Sequence, residues 1–155
     1  MSTEWEIREA IPGDLPFIYA TWSNCMKSSS EIGNLVRNPI FFAGFNKLID
    51  EILSTGGVFT RVACVPTDRD VILGFSVSSS TTIHFIFVKR PFQNNGIAKS
   101  LYIAAGCPTV FSMHTYAVIP IINKMSELIY NPYEPHIIFK QRGITPWVKT
   151  LNTKY

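Results

Sequence analysis

The chain has 155 residues, the usual size of one domain and enough to bury roughly two-thirds of the surface its unfolded form exposes. It is 46% hydrophobic, 13% aromatic and 16% charged, which excludes disorder over most of its length. Its formal charge of +3, from 14 Lys and Arg against 11 Asp and Glu, gives no strong nucleic-acid signal without a concentrated basic patch.

Cys25, Cys64 and Cys107 are odd in number and widely spaced, and His84, His114 and His136 lack the spacing of a helical metal pair. Neither a disulfide framework nor a metal site is expected. Met1 to Glu6 lacks the basic and then apolar pattern of a secretory signal, and no run approaches the ~20 apolar residues that span a bilayer. The expectation is a soluble cytoplasmic protein with no membrane partner, forming one domain over residues 1–155.

Trp5 to Glu9 alternates apolar and polar residues and predicts a short strand, broken by Pro12-Gly13. Asp14 is placed to cap a helix from about Leu15 to Lys27, which Ser28-Ser29-Ser30 closes. Phe41, Phe45, Leu48, Ile49 and Ile52 form the stripe of a second helix, about Ile40 to Leu53, ended by Gly56-Gly57. The period then changes to two, and Val58–Val65, Val71–Ser78 and Thr82–Val88 read as three strands. The turns between them, Pro66–Asp70 and Ser78–Thr81, are short enough for antiparallel hairpins.

A helix from Gly96 to about Ala105 follows, then a strand from about Val110 to Tyr116, a helix from about Pro120 to Ile129 and a strand around His136 to Phe139. The order describes an α/β (α+β) domain. Its mixed sheet is mainly antiparallel and turns parallel where the Gly96 helix crosses from one strand to the next.

The segment from Thr82 to Tyr102 carries most of the information. A strand enters a polar turn, Gln93-Asn94-Asn95-Gly96-Ile97-Ala98, that opens a helix. The first N–H groups of such a helix have no intrahelical partner and suit an anionic phosphate. Gly96 lets the backbone come close, Ala98 keeps the next position small, and Lys89, Arg90 and Lys99 add positive charge.

Gln-x-x-Gly-x-Ala at 93–98 resembles the pyrophosphate-binding pattern of the GNAT superfamily of acyl-CoA N-acyltransferases. Gly74-Phe75 resembles the Gly-Phe of the family's preceding strand. Ile7-Arg8-Glu9-Ala10 with Asp14-Leu15-Pro16 resembles its first strand and helix, and Asn123-x3-Ser126-x3-Tyr130 its fourth-helix pattern, with Ser for Ala. After Tyr130 the chain departs from the family, reading Asn131-Pro132-Tyr133 where a Gly-Phe pair is common. In that feature it looks like small acetyltransferase-like proteins of bacteriophages.

The resemblance implies a GNAT-type fold with a splayed parallel strand pair and acetyl-CoA as cosubstrate. It implies cofactor contacts from the main chain of Phe87, Val88 and Lys89, from Gln93, Asn94, Asn95, Gly96, Ile97 and Ala98, and from Asn123. Tyr130 stands at the general-acid position, with Tyr133 as a nearby substitute. His84 lies nine residues before Gln93, where arylalkylamine acetyltransferases carry a histidine, and is the favoured base. Strict alternation puts it on one face with Thr82, Ile86 and Val88; His114 is a second candidate.

The implied activity is direct acetyl transfer to an amine, with the acceptor left open among small amines, antibiotics, protein amines and nucleobase amines. The alternative is a catalytically degenerate GNAT-fold module serving a virion or host-interaction role. The apolar segment Ile144–Leu151 suits a homodimer contact.

Overall fold

In a computed structural model of the chain, residues 4–113 and 128–133 are described, and their period-two segments assemble one six-stranded sheet. The strands are β1 (Glu6–Glu9), β2 (Phe59–Val65), β3 (Asp68–Ser78), β4 (Thr82–Val88), β5 (Val110–Phe111) and β6 (Ile129–Tyr130), side by side in chain order. β1 to β4 pair antiparallel, whereas β4–β5 and β5–β6 pair parallel. This is the mixed sheet expected from the sequence.

Among the described residues, four α-helices flank it: α1 (Leu15–Ser29), α2 (Glu31–Leu35), α3 (Asn38–Leu53) and α4 (Ile97–Ala104). Along β2, Val62 and Cys64 join Ile18, Trp22 and Met26 of α1 and Phe41, Ile49 and Ile52 of α3, while Ala63 joins Ile97 and Leu101 of α4. Alternate residues of a strand point to opposite faces, so α1 and α3 cover one side of the sheet and α4 the other. Trp22 is fully buried and stacks on Phe85, with ring centroids 5.5 Å apart. Truncating such a side chain costs about 3–5 kcal/mol.

Several local expectations are corrected. Asp14 holds the N-cap position of α1, but its side chain makes no cap bond: its carboxylate accepts from Arg8 Nη1 at 2.7 Å, from Arg8 Nη2 at 3.1 Å and from the Ile11 N–H at 2.8 Å. A bidentate guanidinium outcompetes a lone helix N–H as a partner for a buried carboxylate. The serine run ends α1 and also starts α2, because Ser30 Oγ accepts from the Gly33 N–H at 3.0 Å. Lys27 then donates to the carbonyls of Gly33 and Val36 and fixes this extra helix against α1.

Val65 pairs with Asp68, so the β2–β3 turn is only Pro66-Thr67 and not the five residues read from composition. Ile129 and Tyr130 form β6 and do not end a helix. The strand beginning at Val110 is assigned only to Phe111 within the described residues. Outside them lie the remainder of the helix expected from Pro120, with Asn123 and Ser126, and the strand expected at His136–Phe139. So do His114 and the Ile144–Leu151 segment.

Candidate functional site

The β3–β4 ladder pairs Ser78 with Ile83 but Val77 with Phe85, so His84 is an extra residue on β4. Such a β-bulge kinks its strand and shifts the alternation beyond it. Phe85 and Phe87 belong to the cluster under α1, while Ile86 and Val88 pack on the α4 side. The face that strict alternation gave to Thr82, His84, Ile86 and Val88 therefore does not run unbroken through His84.

Pairing of β4 with β5 stops at Ile83 and Phe111, followed by one bond from the Ser112 N–H to the Ile83 carbonyl at 3.0 Å. From His84 onward, β4 has no β5 partner among the described residues. Lys89 N–H donates to the Leu73 carbonyl of β3 at 2.8 Å. Antiparallel alternation then turns the Phe87 N–H to β3 as well, and the Ile86 and Val88 N–H groups toward the gap beside β4. Of the three main-chain positions named from the resemblance, Val88 faces this gap. Ile86 was not singled out, because nothing in the side-chain pattern marks the bulge that turns it there.

The end of β4 is tied to the turn that follows. Gln93 Nε2 donates to the Val88 carbonyl at 3.0 Å, and Asn95 Nδ2 to the Phe92 carbonyl at 3.3 Å. Asn94 (φ 66°) and Gly96 (φ 90°) are both left-handed, a conformation that glycine and asparagine adopt most readily. Gly96 is the N-cap of α4 with no side-chain cap, and the first helical bond returns from the Ser100 N–H to the Gly96 carbonyl at 2.9 Å. The N–H groups of Ile97, Ala98 and Lys99 therefore lie in a first turn that offers them no acceptor four residues back. Gln93, Asn94, Asn95 and Gly96 are exposed, and an anion can reach this helix end.

The charge around the turn differs from expectation. Lys89 Nζ sits 5.1 Å from the Phe17 ring centroid, on the α1 side of the sheet, leaving exposed Arg90 and Lys99 as cations flanking the turn.

His84 is 2% exposed, and its Nδ1 lies 2.7 Å from Ser112 Oγ. Its Nε2 is buried and has no hydrogen-bond partner among the described residues. Burial pushes its pKa down to about 4, so the ring is neutral at pH 7. Near it, Trp22 Nε1 donates to Met113 Sδ at 3.3 Å, and Trp22 stacks on Phe85 directly after the bulge. Ser112 was missed in the sequence; its only signal is one hydroxyl inside the apolar run Val110-Phe111-Ser112-Met113.

Tyr130 is 47% exposed on β6 and stacks on Phe111 at 5.2 Å. Burial and, secondarily, neighbouring Tyr133 raise its pKa, which keeps the phenol protonated near neutral pH. Ile83, Phe111 and Tyr130 share one register row and hence one face; His84 and Ser112 come one residue later and meet on the other. The two nominated side chains thus flank the fork between β4 and β5 from opposite faces. Tyr133 is 68% exposed in the following turn.

No group of three or more His, Cys, Asp or Glu able to hold a metal is found among the described residues, and no helix among them is long and apolar enough to cross a membrane.

A mixed sheet whose fourth strand is bulged, parts from the fifth and feeds a left-handed turn into a helix defines the fold of the GNAT acyltransferases, and the chain has that fold. Among solved structures, a Pyrococcus furiosus protein described as an acetyl transferase matches with a TM-score of 0.62 at 16% identity, over 80% of this chain and 91% of its own. A GNAT-family acetyltransferase of Staphylococcus aureus gives 0.45 at 14% identity, over 66% and 63%. PaiA N-acetyltransferase of Thermoplasma acidophilum, solved with coenzyme A, gives 0.45 at 16% identity, over 66% and 69%. No family model and no curated protein matches the sequence. At 16% identity the likeness to the Pyrococcus protein is one of fold.

Proposed function

We propose that the protein is an acyl-CoA-dependent N-acetyltransferase that passes an acetyl group from acetyl-CoA directly to an amine. The observation that carries this reading is the succession, along β4 and just past its end, of a bulge, a strand edge unpaired among the described residues, and a helix N-terminus without a side-chain cap reached through left-handed Asn94 and Gly96. Edge N–H groups suit a carbonyl oxygen, and the helix end suits a pyrophosphate.

The main chain from Asn94 to Ala98 would hold the pyrophosphate, with Gln93 bracing the turn against Val88. Asn123, outside the described residues, is a further proposed contact. Ile86 and Val88 N–H groups would polarise the thioester carbonyl, which supplies the activated acetyl group. A neutral His84 is a poor base for an alkylammonium: with pKa values of about 4 and ~10, that transfer is uphill by roughly 8 kcal/mol. The amine must therefore arrive neutral, and Nε2 takes its proton only as nitrogen becomes acidic on attack. Tyr130, on the other side of the fork, would return a proton to the departing thiolate.

Isothermal titration with acetyl-CoA and CoA, followed by thiol release over a panel of amines, tests this. Absence of binding at millimolar ligand would overturn it. Binding without turnover on any amine would favour a second reading, a GNAT-fold binding module. That reading draws on Tyr130 standing half-exposed on strand β6 and not at a helix end.

A further inference from the structure

The buried His84–Ser112 pair asks for a function beyond packing. The two residues directly follow the last β4–β5 pair, Ile83 with Phe111, so their 2.7 Å bond closes the root of the fork where the strands separate. Ser112 is 4% exposed and anchored by its own N–H on the Ile83 carbonyl, so solvent does not compete for its hydroxyl. The other ring nitrogen, His84 Nε2, is one of two buried side-chain polar atoms without a partner among the described residues; the other is Ser76 Oγ. A buried polar atom left open on a rigid element marks a place where a water or a reacting group docks.

Which proton Nε2 carries is decided by what Nδ1 does. If Ser112 donated to Nδ1, Nε2 would carry a buried N–H fixed by the ring and without an acceptor among the described residues; if Ser112 accepts from Nδ1–H, Nε2 is an open lone pair and the remaining donor is the Ser112 hydroxyl proton, which can rotate toward an acceptor or water. We propose that Ser112 is the positioning residue of the site, accepting from His84 Nδ1–H so that Nε2 presents its lone pair to the acceptor amine. The catalytic consequence rests on the acetyltransferase reading above; the tautomer does not. In the transfer, the amine nitrogen bonds the carbonyl carbon, the carbon–sulfur bond breaks, and the amine proton passes to Nε2 while the thiolate gains one from a donor such as Tyr130.

The test uses the whole chain labelled with 15N-histidine, with His84 assigned by its absence in His84→Gln. Long-range 1H–15N spectra at pH 7 should give a protonated Nδ1 and an unprotonated Nε2 in the wild type. They should give a mixture of tautomers in Ser112→Ala and the wild-type pattern in Ser112→Thr, which keeps the hydroxyl. A wild-type ring protonated on Nε2, or an unchanged tautomer in Ser112→Ala, would overturn the assignment; the wild-type spectrum decides even if the alanine variant does not fold. Where turnover is measured, Ser112→Ala should lower kcat on the order of tenfold with the KM for acetyl-CoA within about twofold, and Ser112→Thr should restore it. Equal kcat in Ser112→Ala would also overturn the proposal. Lack of turnover in the wild type would sink the enzymatic reading alone, because the spectra need no reaction.

Discussion

Gly74 lies where β3 meets the strand that borders the proposed thioester site, opposite Val88. A Cβ placed there would overlap the Phe87 carbonyl oxygen, lie 3.1 Å from Val88 Cα and stand 3.3 Å from a Val88 methyl. Two of these neighbours are main chain, so a flexible side chain cannot swing aside. In Gly74→Ala the strands must part by some tenths of an ångström at Phe87–Val88. Overpacking of this kind costs about 1–3 kcal/mol. At roughly 2–4 °C per kcal/mol for a chain of this size, the melting temperature should fall by about 2–12 °C. Gly13→Ala is the control: nothing lies within 4 Å of its added methyl, and it should melt close to wild type or slightly above. Scanning calorimetry of both variants reads the stability, and titration with CoA reads the site, since Val88 also carries the Gln93 bond. If Gly74→Ala melted within about a degree of the control and bound CoA equally well, β4 would not be held as tightly against Gly74 as argued.

Four further outcomes are expected. Gly96→Ala meets only Trp5, at 3.9 Å, but places an L-residue at φ 90°; it should fold with a loss of about 1–2 kcal/mol and bind CoA at least ~10-fold more weakly by titration. Asp14→Ala leaves the Arg8 guanidinium without its carboxylate partner, with only the Glu9 and Arg69 carbonyls to accept from it, and should cost about 3 kcal/mol by urea denaturation. Arg8 holds the Asp14 pKa below the usual carboxylate range, so this stabilisation is full above the unfolded pKa of ~3.9 and disappears as pH falls through the folded value; a wild-type-minus-variant difference constant down to pH 2 would refute it.

His84 acts at milder acidity. Its pKa is depressed from 6.5 to about 4, so the unfolded chain binds a proton first. Stability should be full above pH 6.5 and fall by about 3 kcal/mol down to pH 4, with that slope missing in a folded His84→Gln. Tyr130→Phe should lower kcat more than it raises the KM for acetyl-CoA in steady-state assays; an unchanged kcat would remove Tyr130 as the proton donor.

The main architecture was legible because its signals are local. Strand β4 was read with its observed ends, Thr82 and Val88, since both are set by β-rich composition and flanking turns. Gly96 opened α4 as expected because a left-handed residue before a helix has few alternatives to glycine. What was missed depends on partners outside the pattern of each element. Asp14 reads as a cap from its place before α1, but Arg8 of β1, six residues earlier, takes its carboxylate. Tyr130 fits a helical offset from Asn123, but parallel pairing with Phe111 makes it a strand residue.

The bulge at His84 explains the largest difference in the site itself. Before it, Thr81 and Ile83 turn their carbonyls to β5, accepting from the N–H groups of Val110 and Ser112 at 3.2 and 3.0 Å. Continued without interruption, that parity would direct Phe85, Phe87 and Lys89 into the fork. One inserted residue reverses it: Lys89 bonds Leu73 on β3, and Ile86 and Val88 take the open edge. An aligned family motif counts residues and so arrives near the right segment. Only the ladder, however, reveals which main-chain groups can meet a carbonyl. The same inserted residue brings an imidazole to the point where pairing with β5 ends, so the edge left open and the Nε2 left without a partner among the described residues occur together as consequences of one backbone irregularity.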